Sequence, residues 1–191
     1  MYKIIALIGE SGAGKDSIMQ GVLQQLNDTS FIHKIVNCTS RPKREYEVNG
    51  INYYFYSDQQ FMDKIQNNEM LEFANFNNWW YGTSYDSVRH DKINIGVFNP
   101  SGVRQLLNRE DCDVIVYWVR TADKTRLLRQ LNRETSPDVR EIVRRFSTDY
   151  EDFKNIDFDF IEVINENIDD FGNGVKAIVY QFEILCAQGQ S

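Results

Sequence analysis

The sequence predicts an α/β fold, in which helices cover both faces of a mostly parallel sheet. Short apolar segments, typical of buried strands, alternate along the 191-residue chain with longer amphipathic segments, typical of helices. Only three prolines occur, and each lies at a predicted element boundary. No internal repeat, low-complexity tract or flexible linker interrupts the alternation. We therefore expect one domain that carries small inserted lobes.

The composition excludes several classes of function. A hydrophobic content of 42% and an aromatic content of 13% suit a packed core. The net charge of −7 argues against a dedicated nucleic-acid binder. No run of 18 apolar residues is present, so no membrane span is expected. The first predicted strand begins close to Met1, and we expect no signal peptide.

The cysteines and histidines offer no metal-binding pattern. Cys38, Cys112 and Cys186 are odd in number and widely spaced, and His33 and His90 are isolated. We expect reduced thiols in a cytoplasmic protein, and no zinc site built from protein ligands.

The most specific motif lies between the first predicted strand, at residues 4–8, and an amphipathic helix that begins near Ile18. Its sequence, GESGAGKDS at residues 9–17, places G-x-x-x-x-G-K between a strand and a helix, which is typical of a P-loop. Glycines allow the backbone to wrap around a phosphate, and the helix N-terminus adds partial positive charge. The residues predicted to hold the phosphates of ATP are Gly9, Ser11, Gly12, Ala13, Gly14, Lys15, Asp16 and Ser17.

A strand-rich lobe is predicted after the first helix. Ser57 and Gln60 have the spacing of a capping box, which would open a short helix with Phe61, Met62 and Ile65 facing inward. The strands predicted around this helix lie at residues 31–38, 53–56, 70–76 and 79–83.

The alternation of strands and helices resumes after this lobe. Pro100 is expected in the first turn of a helix, and Ser136-Pro137 is expected to separate two further helices. The predicted strands lie at 93–98, 113–119 and 158–164, and the predicted helices at 100–108, on either side of 136–137, and at about 168–185.

Positive charge is concentrated at two places in this acidic chain. Such clusters are expected to bind a compact anion, although about half of the second is expected to form i,i+4 pairs on solvated helix faces. The first cluster is Arg41, Lys43 and Arg44, and the second is Arg120, Lys124, Arg126, Arg129, Arg133, Arg140, Arg144 and Arg145.

Several separated motifs resemble those of guanylate kinases and follow in the order of that family. They are NCTSRPKR at 37–44, EVNGINYYF at 47–55, LEFA at 71–74 and YGT at 81–83, and the resemblance runs from the phosphate loop to Asn165. It implies a P-loop NTPase fold with a three-layer parallel sheet core, an inserted nucleotide-acceptor lobe and a helical lid. The implied bounds are about 1–36, 91–121 and 154–191 for the core, about 37–90 for the acceptor lobe and about 122–153 for the lid.

The resemblance also implies how GMP is held. Arginine forks and phenol hydroxyls would bind the acceptor phosphate, and Asn37 lies where the family often has serine. Glu72 would accept hydrogen bonds from N1–H and the 2-amino group of guanine, and Thr83 would meet the base edge. The implied GMP-binding residues are Asn37, Arg41, Arg44, Tyr53, Glu72, Tyr81, Thr83 and Asn99.

In the lid, Arg133 and one of the pair Arg144-Arg145 match family arginines that reach the transferring phosphoryl group. The sequence leaves open which member of the pair aligns. Asn165 matches a family asparagine near the adenine of the donor. The implied catalytic residues are Lys15, Arg41, Arg133, Arg144 and Arg145.

Two departures from the family pattern concern the metal and the base. The family carries Asp-x-Asp where this chain has Val97-Phe98-Asn99, so the first acid, which helps to place Mg²⁺, is missing. Asn99 can still accept a hydrogen bond from the guanine amino group. Asp16 stands where a P-loop usually has Ser or Thr, and we hypothesise that its carboxylate replaces the missing metal ligand.

These observations together predict an enzyme that uses Mg²⁺ and ATP to phosphorylate GMP or dGMP by in-line transfer, with two anion sites that face each other. The expected partners are small-molecule nucleotides, with no nucleic acid or membrane. Two alternatives remain open. One is a deoxynucleoside-monophosphate kinase of altered base specificity, and the other is a catalytically silent guanylate-kinase-like binding domain.

Overall fold

A computed structural model of the chain describes residues 1–26, 30–45, 47–76, 78–133 and 135–188. Strands and helices alternate along these residues on both sides of a strand-rich stretch, as the sequence predicts. The strands are β1 (Tyr2–Ile8), β2 (Ile32–Lys34), β3 (Cys38–Thr39), β4 (Tyr54–Phe55), β5 (Met70–Phe76), β6 (Trp79–Ser84), β7 (Ile93–Val97), β8 (Cys112–Arg120) and β9 (Ile161–Ile164). The helices are α1 (Lys15–Gln25), α2 (Asp58–Gln66), α3 (Pro100–Leu107), α4 (Asp123–Leu131), α5 (Val139–Phe153) and α6 (Ile168–Gln188).

Helix starts follow the capping chemistry that the sequence indicates. The Ser57 hydroxyl accepts from the Gln60 N–H at 3.2 Å, and the Gln60 side chain accepts from the Ser57 N–H at 2.9 Å, which confirms the capping box of α2. Asn99 caps α3 by accepting from the Gly102 N–H at 2.7 Å, with Pro100 in the first turn.

The strands form two sheets. A five-stranded sheet has the order β2-β7-β1-β8-β9, and its β2–β7 and β8–β9 pairs are parallel. The predicted α/β fold with a parallel sheet is therefore confirmed. A four-stranded sheet has the order β4-β3-β6-β5, in which β6 runs antiparallel to both β3 and β5.

The single strand predicted at 31–38 is instead two strands in different sheets. β2 pairs with β7, and the Ile35 N–H still donates to Ile95 O at 2.8 Å. Three residues later, Cys38 begins β3, which pairs with β4 and β6. The chain thus changes its hydrogen-bonding partner between Ile35 and Cys38, across Val36 and Asn37.

The chain divides into two compact units, residues 1–5 with 32–114 and residues 6–31 with 115–191. In the first unit, Cys38, Phe61 and Met70 form a buried cluster, and the Phe61 and Trp80 rings stack with centroids 6.1 Å apart. In the second unit, α1 packs against α6 through Gly21, where an added Cβ would lie 2.8 Å from Val175.

The predicted core, lobe and lid bounds remain predictions. Within the residues that are described, no helix combines the length and apolar character needed to cross a membrane.

Candidate active site

In the second unit, the phosphate loop connects β1 to α1 as the sequence predicts. Gly12 and Gly14 have φ values of +84° and +93°, in the left-handed region that favours glycine. A Cβ on Gly12 would lie 2.7 Å from Arg126 O, and a Cβ on Gly14 would collide with the Asn165 amide. The loop therefore requires glycine at both positions for conformation and for space.

The Lys15 side chain curls back over this loop. Its Nζ donates to Gly9 O at 2.6 Å and to Glu10 O at 3.2 Å. Burial lowers the pKa of Lys15, and the nearby carboxylates of Asp16, Asp149 and Glu10 oppose that shift. An ammonium group held in this way by the loop carbonyls is placed beside the loop N–H groups that the motif supplies.

A buried carboxylate from α5 reaches the same loop. Asp149 accepts from the Ser11 N–H at 2.8 Å and from the Ser11 hydroxyl at 3.2 Å. Arg126 Nη2 donates to it at 2.9 Å, and Arg126 Nε donates to Ser11 O at 3.1 Å. Burial raises the pKa of Asp149, and the charges of Lys15 and Arg126 oppose this. Asp149 was not singled out from the sequence, and Arg126 was named there only as a member of the second cluster of positive charge.

Asn165 ties the end of β9 to the phosphate loop. Its Nδ2 donates to Ala13 O at 2.7 Å, and its own carbonyl accepts from Arg129 Nη2 at 2.8 Å and from the Thr121 hydroxyl at 3.0 Å. Asn165 is only 4% exposed. The structure thus brings Asn165 to the predicted ATP site, where its amide supports the loop, and a contact to adenine stays a prediction.

Asp16 and Ser17 lie in the first turn of α1, and both are exposed. Their carboxylate and hydroxyl oxygens are hard ligands of the kind that Mg²⁺ prefers. Among the described residues, no group of three or more His, Cys, Asp or Glu side chains is arranged to hold a metal. One carboxylate and one hydroxyl form a donor set that fits an ion which takes most of its ligands from phosphates and water.

In the first unit, Glu47 holds together the two arginines of the predicted acceptor-phosphate site. Arg41 Nη2 lies 2.7 and 3.0 Å from the two carboxylate oxygens of Glu47, and Arg44 Nη1 lies 3.8 Å from one of them. Burial raises the pKa of Glu47, but the hydrogen bonds from Arg41 and from the Arg44 N–H, together with the charges of both arginines, outweigh burial and leave the pKa lowered. Arg41 is 7% exposed, so this carboxylate offsets the cost of burying its charge.

The two predicted tyrosines lie beside this arginine pair. The Tyr53 and Tyr81 rings meet edge to face, with centroids 6.3 Å apart. The Arg41 guanidinium lies 5.8 Å from the Tyr53 ring centroid and 5.7 Å from that of Phe55. Arg41, Arg44, Tyr53 and Tyr81 are therefore brought together in one cluster, as the sequence predicts.

The predicted base-reading pair, Glu72 on β5 and Thr83 on β6, is also brought together. The two residues are cross-strand partners, and the Thr83 hydroxyl donates to Glu72 Oε1 at 2.7 Å. Glu72 is 4% exposed, and burial raises the pKa of its carboxyl to about 7. A buried carboxylate with remaining acceptor capacity is chemically suited to a ligand that offers N–H donors.

The amides of Asn37 and Asn99 already have protein partners. Asn37 Nδ2 donates to Val97 O at 2.7 Å, and Asn37 Oδ1 is buried without a hydrogen-bond partner among the described residues. Asn99 Oδ1 accepts from Gly102 N–H, but a carbonyl oxygen can accept a second hydrogen bond. Their roles toward GMP stay predictions.

The paired lid arginines share one carboxylate. Arg144 donates to Glu141 from Nε and Nη2 at 2.7 and 2.6 Å, and Arg145 Nε donates to it at 2.9 Å. The Arg144 hydrogen bonds are the main cause of the lowered Glu141 pKa, about 2. Arg133 is exposed just after α4 and is not part of this group. Glu141, like Glu47, was missed, although its i+3 and i+4 spacing to arginines was a visible signal.

Comparison with known proteins identifies the family of the chain. A family model described as guanylate kinase matches residues 1–182. The guanylate kinase of Thermotoga maritima is 31% identical over 182 residues, covering 93% of this chain and 86% of the relative. That of Prochlorococcus marinus is 31% identical over 183 residues, covering 93% and 96%.

Solved structures support the fold. The crystal structure of guanylate kinase from Anaplasma phagocytophilum matches with a TM-score of 0.66, over 94% of this chain and 85% of that one, at 18% identity. Similarity at that identity shows the fold alone. Because the family model covers nearly the whole chain and the relatives match over nearly their full length, the chain belongs to the guanylate kinase family of nucleoside-monophosphate kinases.

Proposed function

We propose that this protein transfers the γ-phosphoryl group of ATP to GMP or dGMP. The observation that carries the proposal is the buried Glu72 carboxylate, which is paired with Thr83 on the neighbouring strand. Guanine offers N–H donors at N1 and at the 2-amino group, whereas adenine presents a lone pair at N1. A buried carboxylate can accept hydrogen bonds from these guanine donors, but it is left unpaired against the N1 lone pair of adenine. Such a site can discriminate by roughly 10⁴.

The acceptor phosphate is proposed to bind at the cluster of Arg41, Arg44, Tyr53 and Tyr81. Guanidinium groups suit a phosphate dianion because they combine fixed charge with paired donors. In the structure, the Glu47 carboxylate bridges the two arginines and leaves them one net positive charge. The cluster is therefore ordered before a ligand binds, which reduces the entropy lost when the phosphate is held.

The triphosphate of ATP is proposed to bind at the loop of residues 9–17. The loop N–H groups and Lys15 would hold the phosphates, and the arginines of α5 would neutralise charge on the transferring group. No side-chain nucleophile is required, because an oxygen of the GMP phosphate attacks the γ-phosphorus and the bond to the β-phosphate bridging oxygen breaks. In-line transfer requires that both nucleotides be held in one orientation and shielded from water.

Mg²⁺ is the expected cofactor, and Asp16 with Ser17 are the residues that would hold it. When bound, the ion would neutralise negative charge on the phosphate oxygens. We also propose a cytoplasmic location, which the odd number and wide spacing of the three cysteines support.

A coupled assay with ATP and four acceptors, namely GMP, dGMP, dTMP and AMP, tests this proposal. The expected kcat/KM for GMP or dGMP exceeds that for AMP by roughly 10³ or more. Comparable rates with dTMP or AMP would instead indicate altered base specificity. Binding of GMP without turnover in the presence of Mg²⁺ and ATP would indicate a silent binding domain.

A further inference from the structure

A side chain of α3 hydrogen-bonds to the backbone at the outer edge of strand β5. β5 lies at the edge of the order β4-β3-β6-β5. The Gln105 amide of α3 bonds both backbone polar groups of Phe73, accepting from its N–H at 3.1 Å and donating to its carbonyl at 2.7 Å. This is the pattern that a neighbouring strand would supply. It fixes the backbone of the residue directly after Glu72.

One turn earlier on α3, Gly102 leaves space for the Glu72 carboxylate. A Cβ at position 102 would lie 2.5 Å from Glu72 Oε2 and 3.1 Å from its Cδ. Gly102 lies within the helix and has no positive φ, so its backbone conformation does not require glycine. The Glu72 carboxylate lies so close to the helix backbone here that an added Cβ would have to displace it.

Glu72 is thus constrained by three separate contacts. Thr83 on β6 donates a hydrogen bond to Glu72 Oε1, and Gly102 on α3 lies next to Glu72 Oε2. Gln105 on α3 fixes the backbone of β5. These three residues come from two different elements that flank β5. A carboxylate that is buried and held in this way has little freedom to adapt to a different base edge.

We propose that Gly102 and Gln105 are positioning residues for Glu72 and thereby determine the preference for guanine. This inference rests on the proposed function. Neither residue needs to touch the nucleotide. Gly102 leaves space for the Glu72 carboxylate because it has no side chain. Gln105 fixes the backbone next to Glu72 because it hydrogen-bonds the edge of β5. A displacement of about 1 Å at a binding group can cost as much as 100-fold in rate.

The test compares Gly102→Ala with Gly172→Ala. Gly172 lies on α6, where an added Cβ meets nothing within 4 Å, so it is a matched control for the substitution itself. We expect Gly102→Ala to raise the KM for GMP by about tenfold or more and to lower the GMP-to-AMP ratio of kcat/KM similarly, with the KM for ATP within about twofold. An unchanged KM for ATP also shows that the variant is folded.

A double-mutant cycle separates positioning from general destabilisation. In a Glu72→Ala background, Gly102→Ala has no carboxylate to displace, so we expect it to change the KM for GMP by less than about twofold. The full single-variant effect in that background would overturn the proposal, as would a Gly102→Ala enzyme that matches the wild type.

Gln105→Leu provides a second, independent variant of similar shape. We expect it to shift the KM for GMP in the same direction by roughly threefold or more, whereas Gln66→Leu, on an exposed position of α2, leaves it unchanged. If Gln105→Leu and Gln66→Leu have the same KM for GMP, Gln105 is not a positioning residue. If the wild type turns over GMP but the Gly102 and Gln105 variants match it, only the positioning roles fail. Absence of wild-type turnover refutes the proposed function and this inference together.

Discussion

The carboxylate of Asp149 accepts hydrogen bonds from both the backbone N–H and the hydroxyl of Ser11, at 2.8 and 3.2 Å. Residue 11 belongs to the phosphate loop, and residue 149 belongs to α5, which also carries Arg144 and Arg145. Helix α5 is therefore joined to the phosphate loop by a buried carboxylate. The same carboxylate neutralises Arg126, which is 4% exposed.

We predict that Asp149→Ala strongly destabilises the protein. It would leave the buried guanidinium of Arg126 without its buried partner, and removal of one member of such a pair costs about 3–5 kcal/mol. Unfolding by urea, followed by circular dichroism, measures the change in free energy.

Asp123→Ala is the matched control for this prediction. Asp123 also bonds Arg126, at 2.8 Å, but it is 82% exposed. We expect a cost within about 1 kcal/mol, because exposed ion pairs contribute little. If the two substitutions lower the free energy of unfolding equally, burial of the Asp149–Arg126 pair does not determine how much the pair stabilises the protein.

Glu72→Gln is expected to change the pH dependence of stability. The folded pKa of Glu72 is about 7, above the value of an unfolded chain. The stability contributed by its protonated form is present below the unfolded pKa, and it is lost as pH rises toward about 7. Between about pH 4 and pH 8, the variant should therefore gain up to about 3 kcal/mol relative to the wild type.

The same substitution should weaken GMP binding, because the amide replaces one acceptor oxygen with an NH2 group, which would face an N–H donor of guanine. We also expect the wild-type KM for GMP to rise as pH falls below about 7. Urea unfolding at the two pH values and steady-state kinetics measure these effects. If the variant is less stable than the wild type at about pH 8, the Glu72 carboxylate is not a destabilising buried charge.

Glu47→Gln is expected to raise the KM for GMP by about tenfold while the KM for ATP stays constant. The loss of charge would release Arg41 and Arg44 from their shared carboxylate and disorder the proposed phosphate site. Glu45→Gln, at an exposed position two residues away, is the control. The account of the arginine pair fails if the two variants have the same KM for GMP.

Asp16→Ala is expected to abolish turnover that depends on Mg²⁺, and Asp16→Ser is not expected to restore the full rate. The reason is that the strand-end acid is absent at Val97, so Asp16 would be the remaining carboxylate for the ion. Titration of the initial rate against Mg²⁺ measures this. Full activity in both variants would rule out the relocated ligand.

Local patterns were sufficient to predict most elements of the fold. The capping box at Ser57 and Gln60 and the proline-initiated helix at Pro100 depend only on residues within one turn of each other. The division of 31–38 into β2 and β3 was not predictable, because β7, the partner of β2, and β6, one of the two partners of β3, both lie more than 40 residues away. An alternating pattern shows that a strand forms and does not show which sheet it joins.

The candidate site was predictable to a similar degree. The motifs indicated Lys15, Arg41 and Glu72 directly. The sequence did not indicate that Glu47 binds Arg41 or that Asp149 binds the phosphate loop, and Asp149 is the clearest case because 138 positions separate it from Ser11. An acidic residue on an amphipathic helix resembles any solvated residue until its tertiary partner is known.

Transfer of a labelled γ-phosphate from ATP to GMP tests the central claim most directly. The account predicts that the label appears on the β-phosphate of GDP in the wild type, that this depends on GMP, and that Lys15→Met slows it by at least about 100-fold. Release of the label as inorganic phosphate at the same rate with and without GMP, or equal labelling of GMP and AMP, would contradict it.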